Sequence, residues 1–429
     1  MNLRTLCASM SLQAHNVRAR MGYMLALVVA GEAVFALPFH VARFFRPTLM
    51  EVFNLSATEL GAAQGIYGIV AMVAYFPGGP LADRFAAHKL MAVSLWTTAA
   101  GGLYMATFPG LVGSMFMFGF FGITTILFFW AALIRATRDW GGNDTQGGAF
   151  GLLDGGRGLL AALLLSAGAY VFTLAFPEGY AAASIQDKQL ALRQVILGYS
   201  AFTAVAGVYV WFALQGLEAT TQATQRTPIW THILPVLRFR SVWLQALIVI
   251  CAYVGYKGLD NYTLFAVQGY GLDEVEAAQL MTLAAWLRPF AAVGAGLIGD
   301  RIDISKAMII CFVLLIASYL FLGFTTPVQG GFFLLLANVA LTCIAVYGLR
   351  GLYFAVFEET GVPRAMTGTA VGIVSVIGFT PDIFVTLVAG LLIDASPGLA
   401  GHQHFFWFLT VFAIIGAVAS LRIRKPTAA

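Results

Sequence analysis

Charged side chains lie inside stretches of sequence that are otherwise apolar, and these residues could carry chemistry. A charged group at the centre of a bilayer costs on the order of 2.5–3.5 kcal/mol even on lenient scales, so each needs a partner, a ligand or a cavity. The basic or titratable members are His40, Arg43, Arg157, Lys257 and Arg288, and the acidic members are Glu32, Asp154, Asp260 and Asp382. The pattern indicates a polar site buried in an apolar protein.

Three pairs of these residues share a spacing of three: His40 with Arg43, Asp154 with Arg157, and Lys257 with Asp260. Side chains at i and i+3 lie on one face of a helix, so an acid and a base can pair there. Two interpretations stay open for the acid–base pairs, static locks between helices or ligands for a solute. If both pairs are neutral, Arg43 and Arg288 remain, one in each half of the chain.

Arg288 lies about twelve residues, or roughly 18 Å, into its apolar stretch. Pro289 follows it and weakens the local helix. A guanidinium offers two parallel hydrogen bonds to a carboxylate, phosphate or sulfonate. We therefore predict a substrate site for an organic anion, formed by His40, Arg43, Arg157, Lys257, Asn261, Tyr262 and Arg288.

Buried carboxylates can load a proton on one side of a membrane and release it on the other, and a histidine can do the same. The candidate proton carriers are Glu32, Asp154, Asp260 and Asp382, with His40 also titratable.

The composition places the protein in a membrane. Of its 429 residues 60% are hydrophobic and 10% are charged, whereas a soluble domain carries about 25% charged residues. The formal net charge of +4 is spread along the chain, without the basic block that nucleic-acid binding needs. Four scattered cysteines and no recognisable catalytic set predict neither metal, cofactor nor enzyme activity.

Twelve stretches approach the roughly 20 residues that a membrane helix needs. An even number places both termini on one side, and Lys and Arg in alternate loops predict that this side is cytoplasmic. The predicted helices are 21–45, 57–77, 90–108, 111–134, 147–176, 193–216, 241–266, 276–299, 307–325, 331–357, 367–394 and 403–421. They divide the chain into a tail 1–20, a six-helix bundle 21–216, a linker 217–240, a second bundle 241–421 and a tail 422–429.

A polar signature occurs twice, at Gly79–Lys89 and, 217 positions later, at Gly296–Lys306. Both copies read Gly-x-aliphatic-small-Asp-Arg followed by Lys, and each is predicted as a turn between two helices. The same offset relates residues 54–59 to 271–276, and Arg135 matches Arg350 at an offset of 215. A repeat at half the chain length indicates two parallel halves.

The repeated signature resembles the loop between helices 2 and 3 of the major facilitator superfamily and its weaker copy between helices 8 and 9. The resemblance implies an all-α membrane protein with two pseudo-symmetric six-helix bundles, working as a monomer by alternating access. Helices 1, 4, 7 and 10 would line the cavity. The first copy departs from the family pattern at Ala86 and Ala87, where the family has Gly and Arg. The predicted gate residues are Gly79, Asp83, Arg84, Arg135, Gly296, Asp300, Arg301 and Arg350.

Basic residues in helices 1 and 7 are similar to those of the superfamily's anion–cation symporter and organophosphate branches. We therefore predict a proton-coupled secondary transporter of a small organic anion, in a bacterial inner membrane, with small-molecule substrate, protons and lipid as its partners. The alternative is a proton-driven exporter of amphipathic or cationic drugs. That class favours deep acids without unpaired Arg and a proline–glycine hinge in helix 5, and helix 5 here contains no proline. A membrane sensor would need a soluble output domain.

Overall fold

The computed structural model of the protein describes residues 20–141, 146–176, 179–215, 235–326, 331–353 and 367–423. Within these ranges the chain forms helices and no strand, as predicted. Eleven helices are long and apolar enough to cross a membrane, and the twelfth, α3, is less apolar. The long helices are α1 (Arg20–Phe44), α2 (Ala57–Arg84), α3 (Ala87–Met105), α4 (Leu111–Gly141), α5 (Gln146–Ala175), α6 (Ile185–Ala213), α7 (Arg240–Tyr270), α8 (Glu274–Ala285 and Leu287–Ile302), α9 (Ile304–Phe324), α10 (Phe332–Leu352), α11 (Thr367–Gly378 and Pro381–Ala395) and α12 (Leu399–Arg422).

The repeat inferred from sequence has a structural counterpart in the backbone. Asn54 and Gly271, 217 positions apart, both have left-handed conformations, with φ of 52° and 68°. Two residues later, Ser56 and Asp273 each begin the next helix with a reciprocal capping box, in which the cap side chain and a glutamate exchange hydrogen bonds with the backbone. Equivalent positions in the two halves therefore make the same turn.

The repeated signature contains the predicted turn between two helices, but the turn occupies only its later part. α2 continues through Gly79 to Arg84, and the chain turns only at Phe85 and Ala86. α8 likewise continues to Ile302 and turns at Asp303, whose φ is 91°. Because lipid cannot satisfy free backbone groups, a membrane helix continues until it reaches water. Both turns therefore lie where the signature predicted a turn, but the preceding helices extend beyond their predicted ends at residues 77 and 299.

Other predicted boundaries shift less or fall outside the described residues. α6 begins at Ile185, eight residues before its predicted start, because Ser184 and Asp187 form a capping box. Most of the predicted linker, residues 216–234, lies outside the described part, as do residues 1–19, 354–366 and 424–429.

Glycines bring α2 and α11 together at one end of the bundle, which we call the Asn54 end. Gly61, Gly65 and Gly68 of α2 face the backbone of α11, and a methyl group at Gly68 would lie 2.6 Å from the Ile383 nitrogen. The Thr58 amide also donates to Asp394 at 2.7 Å. Between α5 and α8 the Gln279 amide donates to the Thr173 hydroxyl at 3.0 Å.

The opposite end, which we call the Arg20 end, lacks these contacts among the described residues. A methyl group added to any of several glycines there, in the same four helices, would meet no described atom within 4 Å. These are Gly79, Gly148, Gly151, Gly155, Gly294, Gly296 and Gly372. Among the described residues, the closest glycine contacts between the two halves therefore lie towards the Asn54 end.

We expect Gly61→Ala to weaken closure of the Asn54 end, because the added methyl group would overlap the Thr386 carbonyl of α11 and overpacking costs about 1–3 kcal/mol. That energy corresponds to a roughly 5- to 150-fold shift in the closed-to-open ratio. The measurement is the maleimide labelling rate of Thr58→Cys with Cys7→Ser in the background, since Cys251, Cys311 and Cys343 are buried. Gly151→Ala, where space is open, is the matched control. Equal labelling in the two variants would contradict the expectation.

Candidate functional site

Interrupted helices carry the charged residues midway along the bundle. α1 contains a π-helical segment, Ala36–Val41, and α7 contains a 3₁₀ turn, Leu259–Asn261. α8 breaks at Trp286, two residues before Arg288, and α11 breaks at Thr380, two residues before Asp382. π-helical segments often mark functional sites because they re-aim side chains within a helix.

Glu32 is the centre of the first ion-pair network, which joins α1, α5 and α8. Its carboxylate lies 3.1 Å from His40 Nε2, 3.2 Å from Arg157 Nε and 3.4 Å from Arg288 Nη1. Asp154 lies 3.4 Å from Arg288 Nη2. Arg288 therefore bridges two acids of the N-terminal half from a helix of the C-terminal half.

Asp260 is the centre of the second network, which joins α1, α7 and α11. Arg43 Nε donates to its carboxylate at 2.5 Å, and Lys257 Nζ lies 2.6 Å away. Lys257 also reaches Asp382 at 3.4 Å, and the Tyr253 hydroxyl donates to Asp382 at 3.0 Å. This network also crosses between the halves, because Arg43 belongs to the first and the other members to the second.

The two networks correct the charge argument made from sequence. Arg157 pairs with Glu32 instead of its i+3 neighbour Asp154, and Arg43 and Arg288 are both paired with acids. The physical reason is burial: the Glu32 side chain is 2% exposed and that of Asp154 is 37% exposed, so the buried acid needs the cation more. The expected pair of Lys257 and Asp260 does form.

A tyrosine ring between two guanidinium groups joins the networks. Tyr256 has Arg43 Cζ 4.3 Å from its ring centroid and Arg350 Cζ at 4.1 Å. Arg288 is a third cation within electrostatic range of this ring. Each guanidinium keeps one buried nitrogen without a hydrogen-bond acceptor, namely Arg43 Nη2, Arg288 Nε and Arg350 Nε. We call Tyr256 with these three arginines the Tyr256 site.

Arg350 differs from the other two arginines of the Tyr256 site. Among the described residues no carboxylate lies within 4 Å of its guanidinium. Its repeat counterpart Arg135 instead donates to the Ala82 carbonyl at the end of α2 and lies 3.8 Å from Asp139. The prediction paired Arg135 and Arg350 as gates, whereas the structure places the Arg350 guanidinium on the Tyr256 ring, from the last turn of α10.

The remaining predicted residues divide into buried and peripheral positions. Asn261 is buried beside Asp260 with both amide atoms unpartnered, and the Tyr262 hydroxyl lies 3.4 Å from the Thr342 hydroxyl in the C-terminal core. Asp83, Arg84 and Arg301 are exposed at the Arg20 end, near Gly79 and Gly296. The Asp300 side chain lies outside the described part. The gate roles stay predictions.

Sequence reasoning missed two groups in this region and misplaced one. Neither Tyr256 nor Tyr253 is among the predicted site residues. The sequence prediction placed Arg46 in a loop, whereas Arg46 is fully buried. Arg46 lies three residues after Arg43, and this spacing could have indicated that the two side chains share one buried helix face. Among the described residues no group of three His, Cys, Asp or Glu side chains could hold a metal.

Comparisons with known proteins agree with this architecture. Residues 28–386 match the sequence model of the Major Facilitator Superfamily. Inner membrane protein YihN of Escherichia coli K12 is 26% identical over 410 residues, covering 93% of this chain and 94% of the relative. The probable nitrate transporter NarT of Staphylococcus aureus (strain Newman) is 31% identical over 167 residues, 37% of each chain.

The fold is also similar to that of a solved transporter. The crystal structure of the nucleoside transporter NupG superposes with a TM-score of 0.69 at 14% identity, over 95% of this chain and 98% of that one. The match of the family model over most of the sequence identifies the chain as a membrane transporter that belongs to the Major Facilitator Superfamily.

Proposed function

We propose that the protein transports a small organic anion and binds it at the Tyr256 site. The observation that carries the proposal is Arg350, a half-buried guanidinium on an aromatic ring with no carboxylate within 4 Å among the described residues. Its free N–H group and those of Arg43 and Arg288 point to one ligand that accepts several hydrogen bonds. Carboxylate, phosphate and sulfonate groups have that property.

The charge balance at the centre supports an anion. Among the described residues, five permanent cations accompany four carboxylates; the cations are Arg43, Arg157, Lys257, Arg288 and Arg350, and the carboxylates are Glu32, Asp154, Asp260 and Asp382. A charge that low-dielectric surroundings leave unbalanced favours a ligand of opposite sign. The relation to a probable nitrate transporter is consistent with this sign of charge, although that relative matches little more than a third of the chain.

Alternating access would proceed from a state in which α2 packs on α11 at the Asn54 end, and we propose that the Arg20 end is open in this state. If both termini lie in the cytoplasm of an inner-membrane protein, as the Lys and Arg distribution predicts, the Tyr256 site opens towards the cytoplasm in this state. Separation of α2 from α11 at the Asn54 end would expose the site to the other side.

Asp382 is the carboxylate that we propose as the proton carrier. Glu32 contacts three basic groups, so its charged form is strongly favoured. Asp382 has one ammonium at 3.4 Å, which it shares with the nearer Asp260, and a tyrosine hydroxyl. Protonation of Asp382 therefore loses the least pairing energy among the fully buried acids and would free Lys257 from one of its two partners.

We expect Arg350→Gln to bind an organic anion about ten- to hundredfold more weakly, because a hydrogen bond to a charged group is worth about 1.5–3 kcal/mol. Thermal shifts of the purified protein against carboxylates, phosphates, sulfonates, sugars and cationic dyes measure this. Unlike Arg288, Arg350 can be removed without leaving a described carboxylate unpaired. Arg350→Lys keeps the positive charge but removes the two parallel N–H groups of the guanidinium. Its loss of affinity for the anion should be intermediate.

Arg135→Gln is the matched control for Arg350→Gln, since it removes the repeat-related arginine, which lies on a carbonyl away from the Tyr256 site. Stabilisation of the parent protein by cationic dyes alone, unchanged in Arg350→Gln, would overturn the anion proposal and favour the exporter alternative.

We expect Asp382→Asn to uncouple transport from the proton gradient. In proteoliposomes, an imposed pH gradient should accelerate uptake by the parent protein and leave the rate of the variant unchanged, while solute exchange without a gradient persists. Asp187→Asn removes a carboxylate remote from the centre and should keep the acceleration. A gradient effect of parental size in Asp382→Asn would assign proton transfer to another group.

A further inference from the structure

Arg46 is a fully buried cation that the Tyr256 site does not use. It follows Arg43 by three residues and begins the short helix Arg46–Phe53, on the Asn54 side of the centre. Its side chain is 0% exposed. Nη1 donates to Gln64 Oε1 of α2 at 3.1 Å, whereas Nε and Nη2 have no acceptor.

No described acid pairs with Arg46. Asp260 and Asp394 act on it only from beyond ion-pair distance. His402 is also nearby, but its Nε2 is already bonded to Gln268 at 2.9 Å. An uncompensated buried charge costs several kcal/mol. A chain that keeps such a group must supply a partner in some state, and the described residues around Arg46 offer only the amide of Gln64.

We propose that Arg46 and Gln64 form a second anion-binding site, between the Tyr256 site and the Asn54 end. The proposal rests on the proposed function, because the ligand is the transported anion. The two free guanidinium N–H groups suit two oxygens of a carboxylate or another oxyanion, and the Gln64 amide adds a donor.

The position of this second site links anion binding to closure. When the Asn54 end is open, an anion from that side reaches Arg46 before it reaches the Tyr256 site. When the Asn54 end closes around a bound anion, the Arg46 guanidinium is buried together with a partner. When it closes without an anion, the guanidinium is buried unpaired. Because a ligand stabilises the conformation to which it binds more tightly, an anion at Arg46 favours the closed Asn54 end.

The test uses bromide as the probe and anomalous diffraction from crystals of the full-length protein grown in bromide. We expect two peaks per chain, one beside Arg46 and one at the Tyr256 site. Gln64→Glu places a carboxylate against Arg46 without removing the guanidinium, and should erase only the Arg46 peak. Arg46→Gln should do the same. Arg193→Gln is the matched control, because Arg193 is already satisfied by the Ala106 carbonyl at 3.1 Å.

A solution measurement makes the same distinction. Arg350→Gln should retain part of the bromide-dependent rise in melting temperature, and adding Gln64→Glu should abolish the remainder. A bromide peak at the Tyr256 site with none at Arg46 overturns the second site and leaves the proposed function standing. A peak beside residue 46 that persists in Gln64→Glu and Arg46→Gln also overturns it. Absence of bromide from both sites overturns both proposals.

Discussion

The cost of holding charge where lipid excludes water governs the centre of this protein. Every carboxylate in the two networks has at least one cation within 3.4 Å, and most of these groups are almost completely buried. Four of the five helices that carry these groups are interrupted near them, whereas α5 is continuous, and an interruption re-aims side chains that a regular helix would direct elsewhere. The charges and the irregular backbone are thus two aspects of one arrangement, which only neighbouring helices can stabilise.

Both networks cross from one half of the chain to the other, so any movement of the halves during transport must break these ion pairs. Arg288 contacts acids of the first half, and Arg43 contacts an acid of the second. Separating the halves at the centre would expose or strand these groups, so any rearrangement must exchange partners. An anionic ligand fits that requirement, because it can replace a carboxylate as the acceptor for a guanidinium while the helices move.

The sequence predicts the architecture well because long apolar stretches and a repeat of constant offset are properties of the chain itself. The capping boxes at Ser56 and Asp273 show how local those signals are. Ion-pair partners were harder to predict, because the i+3 spacing relates only residues of one helix. The acid that Arg157 contacts lies 125 residues away on α1. Arg46 precedes a proline and was assigned to a loop, yet a helix resumes there with proline in its first turn.

The contact between Arg43 and Asp260 joins positions that are 217 residues apart, the offset that relates the two halves. Each residue therefore contacts its own counterpart across the pseudo-twofold axis. In a dimer of two identical half-length chains, that contact would bring together two arginines or two aspartates, which repel. Complementary charge at this position therefore requires two halves that differ in sequence. The ion pair consequently breaks the twofold symmetry between the halves. Neither half could replace the other, because each supplies a charge of opposite sign at the equivalent position.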